Sequence, residues 1–585
     1  MRLRTAVIAS AAFIGTAVVP ITTGSAAADQ RPSGYEVWGS DQSNSVAGVG
    51  TAGTDGSYLW IWDSADIEAQ LAGGPVAQPL GCGRNNGGNA ASNVGPCDLL
   101  DVFPGDLAEI DADGNPTGNR LADLDGFGRL HGMLPDTSGQ YVTANIFAPG
   151  GGYVGVIDTS TKEAIGLFRV TGTNVGGGTD ARSVHMSFWS TDGSQIQVAN
   201  LDGKVLERID VERNPSGKIK RLAFNASASL GVGKGMAVTA PATTFAGKNA
   251  HGRTMIGEIV GSYDDADFGD LTPNGACREN GCASGPDGEL GGRPNNVIIC
   301  PVPSSNGLSY VTMGGGGLLV ADTSTTPMTI VGEYGNEAVN GAGCGGGQTG
   351  DLMWLNAGVS ASGAGATWST FTMYTLDDTA FGSGNGQNEP PPVVRYTDAG
   401  NTATGGNLGG APANVSGQLP GVTTRRDAHG LAVTVDGAYV HNVDRIQNVV
   451  EVFSASGDHV GTYDLTSADG QGNGDGACAD ASVHDDAGLP GNDPAPDLLE
   501  RTPDGKYLMV ALRGPAPVSV THSAQGSCPG VGVIELTDGG ASGRLVGVLR
   551  STNTVATSAV SVPGGHLYLG AERSDIHGAT VVPTR

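Results

Sequence analysis

The sequence predicts an all-β fold of stacked four-stranded blades, and three observations carry the prediction. Glycine makes up 97 of 585 residues, more than twice the roughly 7% of average usage. Charged residues are only 15%, against about 25% in ordinary domains. Long amphipathic helices need more charge and far less glycine than this. The third observation is a repeat: an apolar strand, an Asp-Gly type of turn, a second strand, and a third carrying alternating Val and Ile.

The clearest copy runs from His429 through Val433 to the turn Asp436-Gly437, then Tyr439-Val440-His441, Val449 to Phe453, a Ser456-Gly457-Asp458 turn and His459 to Asp464. Each piece is strand-length with turn chemistry between. A period of about 40 residues marks a β-propeller, whose single blades cannot bury their faces alone and must stack. In the same register fall His131 to Ser138-Gly139 with Tyr141 and Tyr153–Asp158, and His185 to Asp192-Gly193 with Ile196 and Val205–Ile209. Asn306-Gly307 with Tyr310 and Leu318–Asp322 follows, then a degenerate copy over 352–376, Asp504-Gly505 with Tyr507, and Gly564-Gly565 with His566. Tyr35–Gly39 and Tyr58–Trp62 are placed to close the ring with the C-terminal strands. The expectation is seven blades, with eight possible.

Long Gly/Asn/Asp/Pro-rich loops are expected at 78–128, 232–295, 380–424 and 466–496, and loops this long are functional or disordered. Their acids, Asp111/Asp113, Asp264/Asp265/Asp267/Asp270 and Asp485/Asp486, raise calcium as a candidate. Pro116 stands where a helix-loop-helix calcium site wants glycine, and solvated turn acids are the preferred expectation.

Residues 1–28 have the form of a secretory signal peptide: Met1-Arg2-Leu3-Arg4, an apolar run from Thr5 to about Pro20, and Ser25-Ala26-Ala27-Ala28. This leaves 29–585 as a single secreted domain with no later stretch long enough to span a bilayer. The formal charge of −28 argues against nucleic acid, which needs clustered cations. Eight cysteines in an exported chain predict disulfides. Proximity pairs Cys82 with Cys97, Cys277 with Cys282, Cys300 with Cys344 and Cys478 with Cys528, the first being the best motivated.

Counting back from the turns is the most informative arithmetic. His131, His185 and His429 each lie seven residues before the turn residues Ser138, Asp192 and Asp436. Equal spacing on innermost strands puts three imidazoles near one mouth of the central channel. The same count reaches Asp497 and Thr557. Convergent imidazoles from separate blades suit copper or zinc, with Asp497 as an oxygen ligand and His251, on a long loop, as a further ligand. The alternative is that these histidines bridge blades structurally. His441, His459, His484, His522, His566 and His577 are expected on outer strands or loops. Arg182, Arg425 and Arg426 would hold a small anion or pair with the abundant acids. No serine-hydrolase elbow, H-E-x-x-H or Walker motif is present.

The segment His185-Met186-Ser187-Phe188, with Asp192-Gly193 and Val198 to Val205, resembles the propeller domain of nitrous oxide reductase. His429-Gly430 with Asp436-Gly437 is similar to the YVTN propeller superfamily, which includes the copper-dependent thiocyanate dehydrogenases. The resemblance implies copper ligation by His185 and, more distantly, by His131 and His429. It departs at Arg182 and Ser183, where the reductase pattern has two histidines, and in lacking that enzyme's C-terminal copper domain, so a tetranuclear cluster is not implied. Three functions follow: a copper oxidoreductase (zinc or calcium being alternative metals) acting on a small anion with Arg182 orienting it, a non-enzymatic scaffold for an extracellular protein or glycan, or a metal-dependent lactonase or lyase.

Overall fold

The computed structural model describes residues 34–584 apart from 43–56, 83–94, 125–126, 148–150, 175–179, 233–235, 264–296, 336–337, 359–369, 382–389, 399–425, 472–473, 484–490, 516–525, 554–559, 562–566, 569–571 and 573. The predicted signal peptide, Cys277 with Cys282, Thr557, Arg425, the acid clusters at 264–270 and 485–486, and His484, His522 and His566 lie outside the described residues.

The hairpin turns repeat one chemistry. Asp192, Asp436 and Asp504 each accept a hydrogen bond from the backbone N–H two residues on, at 2.9–3.0 Å, and from a Ser or Thr hydroxyl two residues back, at 2.6 Å. The glycine that follows sits at φ of 68–72°, a left-handed conformation that a side chain disfavours. Each turn reverses an innermost strand into its partner.

Six sheets of sequence-local antiparallel strands follow, with innermost strands Leu130–Pro135, Val184–Trp189, Ile298–Pro303, Gly346–Thr349, Ala428–Val433 and Pro496–Arg501. A further four-stranded sheet joins the two ends of the described chain. Its innermost strand Ile576–Thr584 pairs with Gly34–Asp41, which pairs with Tyr58–Asp63. Ile576–Thr584 packs on both Pro496–Arg501 and Leu130–Pro135, so the arrangement is a closed β-propeller. Trp354, Phe371 and Met373 of one sheet pack with Val440 and Phe453 of the next, while Trp60 and Trp62 meet Tyr507 and Met509 across the closing joint. Each such aromatic removes roughly 150–250 Å² from water, so the core is a series of inter-blade layers.

Several expectations are corrected. The stretch over 352–376 is no degenerate copy: Leu352–Ala357 and Phe371–Asp377 are the middle strands of a regular four-stranded sheet. Its inner strand, Gly346–Thr349, is rich in glycine and carries no apolar alternation. Gly564-Gly565 lies outside the described residues; Val560–Ser561 and Leu567–Tyr568, on either side of it, pair as a two-stranded sheet. The loop 78–128 carries Ala108–Ile110 and Pro116–Arg120, which extend the first sheet through Thr243–Ala246. Asp111 accepts the N–H groups of Asp113 and Asn115, the expected turn chemistry. Disulfides join Cys82 to Cys97, Cys300 to Cys344 and Cys478 to Cys528. No helix among the described residues is long and apolar enough to cross a membrane.

Candidate metal centre

A register skip recurs near the start of the inner strands. Pairing with the second strand jumps from Leu130 to Gly132, Val184 to Ser187, Ile298 to Pro301, Ala428 to Leu431 and Pro496 to Leu499, and from Ile576 to Gly578 in the joined sheet. Such a bulge adds a residue and re-aims its side chain. The bulged stretches carry His131, His185, Cys300, His429, Asp497 and His577, and Cys344 lies just before the remaining inner strand. None of the seven is more than 5% exposed.

The glycines after three of these histidines have a steric reason. A Cβ on Gly132 would stand 2.6 Å from Met186 Sδ, and one on Gly430 2.3 Å from the Asp497 carbonyl oxygen. Neighbouring inner strands therefore approach closely where the polar side chains emerge. Ser40 Oγ donates to the His131 carbonyl at 3.1 Å and Asn145 Nδ2 to that of Gly132 at 3.0 Å, which fixes the bulge.

Two linked groups result. In the first, His185 Nδ1 lies 3.1 Å from the Ile299 carbonyl and His131 Nε2 lies 3.2 Å from His185 Nε2. A carbonyl only accepts, so His185 carries its proton on Nδ1 and accepts on Nε2; His131 donates from Nε2 and accepts from Gln42 Nε2 on Nδ1. Burial drives the His185 pKa down to about 3, with Arg445 and Arg129 adding to the effect against the Ile299 bond.

In the second group Asp497 sits between two imidazoles, with Oδ1 3.2 Å from His429 Nε2 and Oδ2 3.7 Å from His577 Nε2. Arg513 Nη1 is 2.6 Å from Asp497 Oδ2 and Arg445 Nη1 3.6 Å from Oδ1. Arg513 also grips Asp575 through two bonds of 2.7 Å, and Arg445 holds Asp427. Burial raises the Asp497 pKa, the two guanidiniums opposing it. Burial, with His131 and Arg513 nearby, pushes His577 well below its ordinary value, so His577 is a neutral imidazole. Among the described residues neither of its ring nitrogens has a hydrogen-bond partner. Its ring stacks on His131, with centroids 3.7 Å apart, and this contact joins the two groups.

His131, His185, His429 and Asp497 thus occupy equivalent channel positions, but the three histidines do not close on one point. A grouping that includes two of these four and could hold a metal ion is His429, Asp497 and His577, which each offer a donor atom within 4.8 Å of the others. The sequence reading placed His577 on an outer strand or loop; it is on an innermost strand. The apolar-His-Gly triplet of Leu130-His131-Gly132 and Ala428-His429-Gly430 recurs at Ile576-His577-Gly578, as it does at Ala250-His251-Gly252 outside the channel, so the sign was present without being decisive.

The other candidates lie elsewhere. His251 is 44% exposed and pairs with Glu163. Arg182 donates to the Val170 carbonyl at 2.9 Å and pairs with Asp180. Arg426 binds Asp398, Asp444 and Glu451 together. His441 lies between the Gly540 carbonyl and Tyr463, and His459 pairs with Glu451.

No protein-family model and no curated protein matches the chain. Similar solved structures include a Bacteroides uniformis protein described as a candidate 6-phosphogluconolactonase, at 12% identity and TM-score 0.41 over 87% of this chain and 94% of that one. The periplasmic gluconolactonase PpgL of Pseudomonas aeruginosa is 10% identical, with TM-score 0.40 over 89% and 98%. The propeller domain of Myceliophteria thermophila Cps50 (Swd1) is 11% identical, with TM-score 0.30 over 66% and 93%. Likenesses this remote carry no statement about activity.

Proposed function

We propose that this protein is a secreted, seven-bladed metal-binding propeller whose centre lies between His429, Asp497 and His577, and that it is an oxidoreductase acting on a small anion. Counting the joined sheet as a blade gives the seven. The observation that carries the reading is His577, a fully buried imidazole that has no hydrogen-bond partner among the described residues on either ring nitrogen and lies 3.7 Å from a fully buried carboxylate. A buried polar group left without a partner costs about 1–3 kcal/mol, and a bound cation would supply the partner.

The donor set fits copper or zinc. Bonds of about 2.0–2.1 Å at tetrahedral angles put ligand atoms about 3.3 Å apart; here His429 Nε2 is 3.2 Å from Asp497 Oδ1, and one donor atom from each of the three residues lies within 4.8 Å of the others, so small side-chain shifts would close the set. His577 is already in the neutral form that ligation needs. Calcium, which takes six to eight oxygens, finds one carboxylate in this group. Copper, when bound, would supply one-electron chemistry. Asp497 would then be the anionic ligand, its charged form favoured against burial by Arg445 and Arg513.

A void of about 10 Å³ bordered by His185, Cys344, His429 and Arg445 has room for about one water, which limits any substrate reaching the centre to a few atoms. Three disulfides support an oxidising compartment.

A binding scaffold is the second reading, favoured by a cavity of about 590 Å³ at the opposite ends of the inner strands, between Leu134, Trp189, Gln348, Val433, Glu500 and Val581. The lactonase alternative has no comparable support: the imidazole–carboxylate group is enclosed rather than set in an open cleft. Metal analysis of protein purified without chelator distinguishes the readings. Stoichiometric copper or zinc supports a metal centre, and a metal-free protein that takes up neither rejects it.

A further inference from the structure

Two ring positions hold neither histidine nor carboxylate. Cys300 and Cys344 come from the inner-strand regions of adjacent sheets and close a disulfide at the level where the other blades present His131, His185, His429, Asp497 and His577. A staple for the blade joint could sit anywhere along these strands. This one faces the channel, with Cys300 Sγ 3.7 Å from His185 Nδ1. One donor atom each from His185, Cys300 and Cys344 lies within 4.8 Å of the others. The small void is bordered by His185 and Cys344, and also by Ile299, the neighbour of Cys300 in the chain, and by His429, so space of about one water's size adjoins two of the three potential ligands.

We propose that the Cys300–Cys344 disulfide masks a second metal site, a Cys2His centre completed by His185, which opens on reduction and takes a soft cation such as Zn²⁺ or Cu⁺. The reductant is a small dithiol. One of its thiolates attacks a sulfur of the disulfide to form a mixed disulfide, and its second thiol displaces the protein sulfur. The products are two protein thiols and the cyclised, oxidised reductant. Cation binding then releases the two thiol protons to solvent, leaving thiolate ligands. His185 stays neutral: its proton moves from Nδ1 to Nε2 and is donated to His131 Nε2, the His131 proton shifts to Nδ1 and is accepted by the turned Gln42 amide, and the freed His185 Nδ1 exchanges the Ile299 carbonyl for the cation. The site shares no ligand with His429, Asp497 and His577, so it stands or falls separately from the centre proposed above.

Cobalt(II) is the probe, because thiolate ligation gives a sulfur-to-metal charge-transfer band that imidazole and carboxylate ligands do not. The full-length protein is reduced with dithiothreitol without denaturant, freed of reductant anaerobically and titrated with Co²⁺. Circular dichroism checks that it stays folded, and mass mapping checks that Cys300 and Cys344 are free thiols. The expected result is a charge-transfer band in the reduced protein alone. It is lost in a Cys300→Ser/Cys344→Ser variant and on alkylation of the reduced wild type, and replaced by an altered, weaker spectrum in His185→Ala. Three results would overturn the proposal: no band although both thiols are free, a band that survives in the double variant, or a disulfide that dithiothreitol cannot reduce in the folded protein. Co²⁺ bound by the unreduced protein without a sulfur band reports on the other centre and leaves this result unaffected.

Discussion

His577, in the last strand of the chain, stacks its imidazole on that of His131, with ring centroids 3.7 Å apart and planes inclined by 29°. The contact forms only because Ile576–Thr584 returns to the chain's beginning, pairing with Gly34–Asp41 and packing beside Leu130–Pro135. Closure of the ring and assembly of the polar cluster are therefore one event.

Removing residues 576–585 takes away an innermost strand, exposes Trp38 and Val37 along its partner, and deletes His577. The shortened protein is expected to lose cooperative unfolding, read by circular dichroism in urea. A sharp transition at the wild-type midpoint would show that the ring does not need this closure.

Gly430→Ala tests the close approach of inner strands. Its Cβ would meet the Asp497 carbonyl oxygen at 2.3 Å and Leu498 Cα at 2.8 Å, backbone atoms that cannot rotate away. Overpacking of this kind costs about 1–3 kcal/mol, so the denaturation midpoint should fall. Unchanged stability would mean that the two strands are further apart than described.

Asp497→Ala leaves Arg445 and Arg513 buried with one carboxylate fewer. Breaking a buried charge network by removing one partner costs about 3–5 kcal/mol, and Asp497→Asn, which keeps the shape and some hydrogen bonding to Arg513, should cost less. If the two variants are equally stable, the carboxylate charge is not what holds these arginines.

Glu207 is fully buried and accepts the Thr171 N–H at 3.0 Å. Burial pushes its pKa up to about 8, against the hydrogen bonds from Thr171 and Asn200 and the Arg182 charge, which lower it. The folded state thus holds a proton that the unfolded state releases near its ordinary value. The stability this contributes is full below the unfolded pKa and is lost as pH rises through about 8. Glu207→Gln, fixed neutral, should gain on the wild type as pH rises from 5 to 9, on the order of a kcal/mol per pH unit at most. A difference between the two that does not vary with pH would contradict this.

Much of the site was legible because a propeller converts sequence register into radial position. The seven-residue count back from each turn brought His131, His185, His429 and Asp497 to equivalent places. It missed His577 because no hairpin turn follows the closing strand, so there was nothing to count from; the His-Gly pair, required by close strand approach, was a readable sign without being decisive. Cys300 and Cys344 were paired by proximity, but their place in the channel was hidden by a glycine-rich strand with no apolar alternation to set its register. The count to Thr557 falls outside the described residues, and the strand that joins the two ends of the described chain begins at Ile576. Arg182 was a candidate by its place just before His185 and His251 as a residue of a long loop able to fold over the channel mouth; their partners, Asp180 and Glu163, depend on tertiary packing that spacing does not encode.

The most direct test of the metal centre is copper(II) titration of the oxidised full-length protein, followed by electron paramagnetic resonance, for wild type beside His577→Ala. One equivalent bound with nitrogen hyperfine coupling in the wild type, and no specific binding in the folded variant, is the predicted result. Equal binding with the same spectrum in both proteins, or none in the wild type, would contradict a centre held by His429, Asp497 and His577.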